Sequence, residues 1–216
     1  MKSFKLLFIV ILCVSVIYLY HAVVYWNLIP AHSYSSEDFQ IIEYISPFDI
    51  DHDGVDNAHD ILFGARKYVN SGLKYKSAYY DGGYPNDEYS VCTDVIWNAF
   101  QNAGYSLKDL IDEDIAHFPD LYSLDEPDPN IDFRRVKNLK VFFDHHAESL
   151  TLNINEIDQW MPGDIVTFSP SHIGIISDKR NSDGIPFLIH HGGQPIKEED
   201  CIVKRNMVIT GHYRWK

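Results

Sequence analysis

The longest hydrophobic stretch of the chain lies near its N-terminus, where residues 6–28 are almost uninterrupted apolar side chains. This run exceeds the roughly 20 residues that a helix needs to cross the hydrocarbon core of a bilayer. Lys2 and Lys5 precede it, which is typical of a cytoplasmic N-terminus followed by an exported domain. A cleavable signal peptide is the alternative, but bulky residues such as Tyr20 stand where its small cleavage residues belong. We therefore expect residues 1–29 to form an uncleaved single-pass anchor in the cell membrane, with the remaining chain on the extracytoplasmic side.

Three later segments carry apolar residues at helical spacing. The first spans residues 61–69 and ends at Gly72, and the second begins at Cys92 and ends at Gly104. In the second segment, four apolar positions share one helix face: Val95, Ile96, Ala99 and Phe100. A third helix is predicted near residues 134–146. The polar, Gly-rich stretch between the first two helices predicts a loop that leads directly to Cys92.

The last third of the chain changes to short apolar runs that are typical of strands. The predicted strands cover residues 164–168, 172–177, 187–191 and 211–215. Helices followed by consecutive strands indicate an α+β fold, with the helices packed on an antiparallel sheet built as a meander. We expect one domain over residues 61–216, joined to the anchor by a polar tether over residues 30–48.

The net charge of the chain limits the classes of partner that it can bind. The formal net charge is −13, from 31 acidic and 18 basic side chains. A nucleic-acid-binding protein requires a basic face, so nucleic acid is not expected as a partner. Acidic charge also disfavours bulk attraction to a polyanionic surface, so a substrate of that kind requires a specific cleft. We expect the chain to be a monomer.

The chain has three cysteines, Cys13, Cys92 and Cys201. Cys13 lies in the predicted anchor, which leaves too few for a disulfide framework, although a single Cys92–Cys201 bridge stays open in an oxidising compartment. Cys92 starts a predicted helix after a Gly-rich loop. Unpaired amides at a helix N-terminus favour a thiolate, which predicts a lowered pKa and a nucleophile. A buried structural cysteine is the alternative.

Downstream histidines supply the groups that a nucleophilic cysteine needs. His172 enters a predicted strand two residues before Gly174, and His190 and His191 end the next strand. Neighbouring antiparallel strands can bring such rings together as a general base and the group that orients it. Because a shift of one residue in register turns a side chain to the opposite face, both His190 and His191 remain candidates, with His190 favoured.

The order of these segments resembles that of the NlpC-type cell-wall peptidases, which are papain-like cysteine enzymes. The resemblance rests on the stretch Tyr79-Tyr80-Asp81-Gly82-Gly83 before Cys92, on the Pro-Gly-Asp turn at residues 162–164 and on the two histidine strands. It implies a papain-like fold with Cys92 as nucleophile at a helix N-terminus, His172 as base and His190 as its orienting group. Tyr79 would shape the substrate region.

Residues 60–214 more closely resemble a bacterial family known only as domain of unknown function 1287, through segments such as DPNIDFRRV, PGDIV and GHYR. The NlpC-type resemblance implies a substrate among peptidoglycan stem peptides and no organic cofactor. The chain departs from the usual Asp-Cys-Ser-Gly of those enzymes, because it reads Val91-Cys92-Thr93-Asp94. The floor of the pocket is therefore expected to differ.

Asp94 and Arg135 are candidate substrate-binding residues. An arginine can bind a substrate carboxylate through two parallel hydrogen bonds, and peptide stems offer such carboxylates. A structural ion pair of Asp94 with Arg134 or Arg135 is the alternative.

A second motif precedes the first predicted helix of the domain. Residues 49–60 fit the twelve-residue calcium loop D-x-D-x-D-G-x5-E, with Asp instead of Glu at the last position. The predicted ligands are Asp49, Asp51, Asp53, the carbonyl of Val55, and Asp60. An acidic surface loop that caps the next helix is the alternative. We expect a structural Ca²⁺ of modest affinity.

Three functions fit the sequence. The leading hypothesis is an extracytoplasmic cysteine amidase or peptidase with a Cys–His–His triad. A transglutaminase-like acyl transferase is the second, and it requires an Asp where His190 stands. The third is a non-catalytic surface binding module stabilised by calcium.

Overall fold

The computed structural model describes residues 2–216, and Met1 and the side chains of Lys2 and Ser3 lie outside the described part. The predicted anchor forms helix α1, Lys2–Tyr25. Residues Phe4–Tyr25 are long and apolar enough to cross a membrane, and the most apolar window of that helix is not buried against the rest of the protein. A signal sequence has the same properties, so this finding identifies an apolar N-terminal helix and leaves its processing and orientation open.

Four further helices and eight strands follow α1. The helices are α2 (Asn57–Val69), α3 (Cys92–Asn102), α4 (Leu107–His117) and α5 (Val136–His146). The strands are β1 (Lys74–Tyr75), β2 (Tyr89–Ser90), β3 (Glu148–Ser149), β4 (Ile165–Phe168), β5 (His172–Arg180), β6 (Pro186–Ile189), β7 (Glu198–Glu199) and β8 (Ile209–Arg214). Helices followed by a sheet are thus confirmed, within residues 2–216.

The main sheet has six strands in the order β3-β8-β4-β5-β6-β7, and every pair in it is antiparallel. The expected meander is correct for β4, β5 and β6 and wrong for β8, which returns to lie between β3 and β4. The reason is packing against α5. The ring of Tyr213 on β8 packs 5.7 Å from that of Phe143, and its hydroxyl donates to Asp144 at 2.6 Å. The edge strands β3 and β7 are not among the predicted strands.

Helix α4 is absent from the sequence expectations, although the chain carries signals for it. Ser106 caps the helix by accepting a hydrogen bond from the backbone of Asp109 at 3.4 Å. Leu107, Ile111 and Ile115 are buried and fall at helical spacing. The many acidic residues on the outer face of α4 mask this periodicity.

Helices α2 and α3 pack unusually closely, which fixes the position of Cys92. A Cβ added at Gly64 would lie 2.5 Å from Asn102 Cβ and 3.0 Å from Ala99 Cα, so only glycine permits this approach. The four apolar positions predicted for one face of α3 are all completely buried. As a result α3 is held between α2 and β5.

Residues 30–48, expected to be a polar tether, contact the domain at Tyr34 and Ser36. The backbones of Tyr34 and Arg180 exchange two hydrogen bonds of 2.8 Å. The Arg180 side chain is completely buried and donates to Ser36 Oγ at 3.1 Å and to the carbonyls of Gly184 and Trp160. The expectation fails here because a buried arginine requires acceptors, and this segment supplies one.

Candidate active site

Cys92 is the first residue of α3, at the point where the helix meets β5. Val91 donates its backbone N–H to Asp94 Oδ2 at 2.8 Å, which caps the start of the helix. The backbone amides of Ile173 and Thr93 interact with the Cys92 sulfur. Ile173 directly follows His172 on β5, so the fold brings the expected nucleophile to the strand that carries the expected base.

Cys92 is more deeply buried than its predicted place at a helix start suggests. The residue is 7% exposed, and burial raises the pKa of its thiol to about 11, against the opposing effect of the Ile173 and Thr93 amides. The lowered pKa expected at a helix start is therefore wrong for this structure, because desolvation of the thiolate outweighs its stabilisation by the amides. At neutral pH Cys92 is a thiol, so a base has to remove its proton as it reacts.

The two histidines form the expected pair. His172 Nε2 and His190 Nδ1 lie 2.7 Å apart, with the rings nearly perpendicular at 85°. Burial, followed by the charges of His190 and Arg205, lowers the pKa of His172 to about 3. Burial also lowers the pKa of His190. Both rings are therefore neutral at physiological pH, which is the form that a base requires.

His190, and not His191, is the partner of His172. The His191 ring turns the other way and packs 5.3 Å from the ring of Tyr75, and its Nε2 is buried without a hydrogen bond among the described residues. The register of β5 and β6 decides this, since Ile175 pairs with Ile189 and the next residue of β6's path, His190, lies beside Gly174.

Gly174 makes room for the histidine pair. A Cβ at this position would lie 2.8 Å from Leu188 Cδ1 and 3.1 Å from His190 Cβ. Any larger residue at position 174 would push β6 away and separate the two rings. The glycine two residues after His172 is thus required by a close approach of side chains.

The hydrogen bonds continue past His190 to an ion pair. His190 Nε2 lies 3.0 Å from Glu199 Oε1, and Arg205 donates to the other oxygen of Glu199 at 2.8 Å. His190 is 4% exposed and Glu199 6%. We call His172, His190 and Glu199 the histidine relay.

The relay assigns the protons on both rings. The Glu199 carboxylate, paired with Arg205, can only accept, so His190 Nε2 carries a proton and His190 Nδ1 accepts from His172 Nε2. Gln194 Nε2 also lies 3.0 Å from His190 Nε2, but it donates to the His190 carbonyl at 3.2 Å, and a charged acceptor outcompetes it for the ring. His172 Nδ1 is left unprotonated, and it has no hydrogen bond among residues 2–216.

Cys201 lies on the far side of the relay from Cys92. Its sulfur is 3.5 Å from His190 Nε2, and the residue is completely buried. Both cysteines are free thiols. The Cys92–Cys201 bridge left open by the sequence is therefore not formed.

Asp94 is not available to a substrate, which corrects its assignment as a binding residue. It is completely buried and accepts two hydrogen bonds from Arg134, at 2.7 Å and 3.0 Å. Arg134 also donates to the carbonyl of Ala78 at 3.0 Å, which ties the approach loop to the start of α3. Of the pairings left open by the sequence, Arg134–Asp94 is the one that forms.

Tyr79 is exposed and Arg135 is half-buried, both on the loop side of the domain. Arg135 donates to Asp132 at 3.1 Å and lines a cavity of about 790 Å³ together with residues 123–129 and Lys137, apart from Cys92 and the relay. The Tyr79 hydroxyl donates to Asp128 at 3.1 Å and is 58% exposed. Neither hydrogen-bonds Cys92 or the histidines, so their substrate roles stay predictions.

Sequence reasoning missed several residues around the site. Tyr75 contacts His191, and burial followed by the nearby Cys92 raises the pKa of its hydroxyl. Glu199, Gln194 and Arg205 complete the surroundings of His190. No spacing rule links Glu199, Gln194 and Arg205 to Cys92, because they follow the second histidine on segments whose path depends on the fold.

The predicted calcium loop folds as a compact turn before α2. Oxygens of Asp49, Asp51 and Asp53 lie within 4.8 Å of one another. Gly54 has a positive φ of 94° and donates its backbone N–H to Asp49 Oδ2 at 3.1 Å. Burial and the charges of Asp53, Asp51 and Asp49 raise the pKa of Asp60 to about 6. Three of the four carboxylates predicted as ligands, those of Asp49, Asp51 and Asp53, therefore converge, and their charges act on the fourth, Asp60.

Comparison with known proteins identifies the family of this chain. The model of "Domain of unknown function (DUF1287)" matches residues 62–215. "Uncharacterized protein YijF" of Escherichia coli (strain K12) is 38% identical over 167 residues, which cover 72% of this chain and 80% of that protein. No solved structure gives a significant match. The chain belongs to the DUF1287 family.

Proposed function

We propose that this protein is a cysteine hydrolase that cleaves amide bonds, with a papain-like, NlpC-type arrangement of its catalytic groups. Cys92 is the nucleophile, His172 the general base and His190 the group that orients it. The observation that carries the proposal is the 2.7 Å contact between His172 Nε2 and His190 Nδ1. It leaves His172 Nδ1 free on β5, the strand that packs against α3 through the buried cluster that contains Cys92 and Ile173.

The reaction follows from the protons on the relay. His172 Nδ1 takes the proton of the Cys92 thiol while the sulfur attacks the amide carbonyl. His172 then gives that proton to the leaving amine, and a thioester forms on Cys92. Water, deprotonated by His172, attacks the thioester and releases a carboxylic acid and the free thiol. Amide and water are consumed, and acid and amine are formed.

Location and family resemblance support the substrate class. The apolar N-terminal helix, preceded by lysines, favours a membrane-anchored protein whose domain faces the extracytoplasmic side. The resemblance to cell-wall peptidases favours the amide bonds of peptidoglycan stem peptides.

The other two functions make different demands on the site. A transglutaminase-like enzyme uses an Asp as the third member of the triad, and His190 occupies that place here. A non-catalytic binding module has no need for a buried, tautomer-specific relay. Both observations favour the hydrolase.

The test is release of peptide fragments from purified peptidoglycan by the full-length protein in detergent, identified by mass. We expect soluble fragments with new carboxyl and amino ends from the wild type and from Cys201→Ala, and none from Cys92→Ala. Wild type and Cys92→Ala giving the same products would contradict the proposal and favour the binding module.

A further inference from the structure

The loop before α2 holds more negative charge than the surrounding protein balances. Residues 49–60 contain five aspartates and no Lys or Arg. One of the five, Asp56, is committed elsewhere, since its side chain accepts hydrogen bonds from the backbones of Ser46 and Ala58 and contacts the His59 ring. Oxygens of Asp49, Asp51 and Asp53 lie within 4.8 Å of one another, and Asp60 stands at the last position of the loop motif.

Two carboxylate oxygens of the loop have no partner. Asp60 is 2% exposed, and its Oδ2 is buried without a hydrogen bond within residues 2–216. Asp49 Oδ1 is in the same condition. A buried carboxylate oxygen without a donor or cation is strongly unfavourable. The charges of Asp49, Asp51 and Asp53 also act on Asp60, which adds repulsion to desolvation.

The position of the loop in the fold adds to its uncompensated negative charge. Asn102, the last residue of α3, donates its side-chain N–H to the Asp60 carbonyl at 3.1 Å. A Cβ at Gly104 would lie 3.1 Å from Asp51 Cβ. The loop therefore lies against the C-terminal end of α3, where the helix dipole also presents partial negative charge. A cation at this point would be attracted by both.

We propose that Asp49, Asp51, Asp53 and Asp60, with the carbonyl oxygen of Val55, bind one Ca²⁺ that fastens the start of α2 to the end of α3. The donors are all oxygens, which suits a hard cation, and no His or Cys ligand is required. Four carboxylates on an irregular loop fit the larger and more flexible coordination of Ca²⁺ better than the strict octahedron of Mg²⁺.

The site is structural. Cys92 is at the opposite end of α3, about 15 Å away at the rise of 1.5 Å per residue. The ion therefore touches neither the nucleophile nor the histidine relay, and the proposal is independent of the proposed function. What the ion holds is the close α2–α3 contact at Gly64.

The test uses the full-length protein in detergent, freed of metal by a chelator, with calorimetric titration of CaCl₂ or MgCl₂ and thermal unfolding. We expect one Ca²⁺ per chain with a Kd of about 10⁻⁴–10⁻³ M, typical of extracellular modules. At 10 mM Ca²⁺ the folding equilibrium constant then rises about 10- to 100-fold. Mg²⁺ at the same concentration should raise it at least fivefold less.

Asp60→Asn distinguishes a binding site from a merely acidic loop. It removes one of the repelling charges, so the metal-free variant should unfold at a higher temperature than the metal-free wild type, while its Ca²⁺ affinity falls at least tenfold. Asp56→Asn is the matched control, because asparagine caps a helix as well as aspartate and Asp56 is not a ligand. It should keep the wild-type Ca²⁺ affinity. Unchanged affinity in Asp60→Asn, or equal responses to Ca²⁺ and Mg²⁺, would overturn the proposal.

Discussion

The two ends of α3 solve the problem of buried polar groups in opposite ways. At the N-terminal end, the histidine relay alternates donors and acceptors from His172 to Arg205, and one ring nitrogen, His172 Nδ1, is left open. At the C-terminal end, the loop of residues 49–60 gathers acceptors only, and Asp49 and Asp60 each keep a buried oxygen without a partner.

The difference indicates what each end can do. A chain of alternating donors and acceptors is electrically satisfied and fixes where each proton resides, so its open nitrogen can receive a proton from outside. A set of acceptors with one sign of charge cannot satisfy itself and needs a cation. The same helix thus connects the proposed catalytic site to the proposed Ca²⁺ site.

The largest effect is expected from the nucleophile. Cys92→Ala should lower kcat/KM for amide hydrolysis by about 10⁴-fold or more, because the covalent step is lost. Cys201→Ala is the control: it also removes a buried thiol near His190 but should keep activity within a few-fold. If both variants lost kcat/KM equally on the same peptide substrate, the loss would reflect disturbed folding and not the missing nucleophile.

The base comes next. His172→Gln should lower kcat by about 10²- to 10⁴-fold, the usual contribution of a general base. The pH dependence identifies the mechanism. In the wild type the thiol and the ring are both neutral between their pKa values of about 3 and about 11, so alkylation of Cys92 by iodoacetamide should be nearly independent of pH across the middle of that range.

Below about pH 3 His172 is protonated, cannot accept the thiol proton, and the alkylation rate should fall. In His172→Gln the reaction has to use free thiolate, whose fraction rises about tenfold per pH unit up to the Cys92 pKa of about 11. Mass spectrometry of peptides resolves Cys92 from the other cysteines. Parallel pH slopes in the two proteins would argue against His172 as the base.

A smaller effect is expected from the end of the relay. In Glu199→Gln, the oxygen of the new side-chain amide should accept the hydrogen bond from Arg205. The NH₂ group of that amide then faces His190 Nε2, as the NH₂ group of Gln194 already does, and both can only donate to it. This reverses both tautomers and puts a proton on His172 Nδ1. We expect kcat to fall by about 10²-fold with little change in KM.

Nitrogen NMR of the histidine rings reports the tautomer directly. Glu198→Gln is the control for loss of a neighbouring buried charge, since Glu198 bonds Arg66 and Lys179 and not the histidines. It should leave both kcat and the tautomers unchanged. A Glu199→Gln variant with normal tautomers and low activity would contradict the proton assignment.

The smallest effect on chemistry is expected from calcium. Chelation should lower the unfolding temperature by several degrees, yet kcat measured well below that temperature should change less than twofold, because the loop lies about 15 Å from Cys92. If kcat changed with calcium occupancy while the folded fraction stayed constant, the loop and the catalytic site would be coupled. That result would contradict the separate roles proposed for the two ends of α3.

Local pattern in the sequence predicted many elements of this protein and its candidate reactive residues. The apolar face of α3, the stop at Gly104, the strand carrying His172 and the Asp spacing of residues 49–60 each depend on neighbours a few positions apart, which sequence periodicity reports directly. The antiparallel sheet follows from the same local signals, whereas the resemblance to the DUF1287 family rests on segments such as DPNIDFRRV and PGDIV.

Only the tertiary structure decided which residues complete the site. The choice of His190 over His191 depends on the register between two strands, and Glu199 reaches His190 through β7, which forms only when the sheet assembles. The pairing of Asp94 with Arg134 and the return of β8 beside β4 join residues far apart in sequence. The raised pKa of Cys92 has the same origin, because burial is a property of the whole fold, whereas the helix start that favours a thiolate is local.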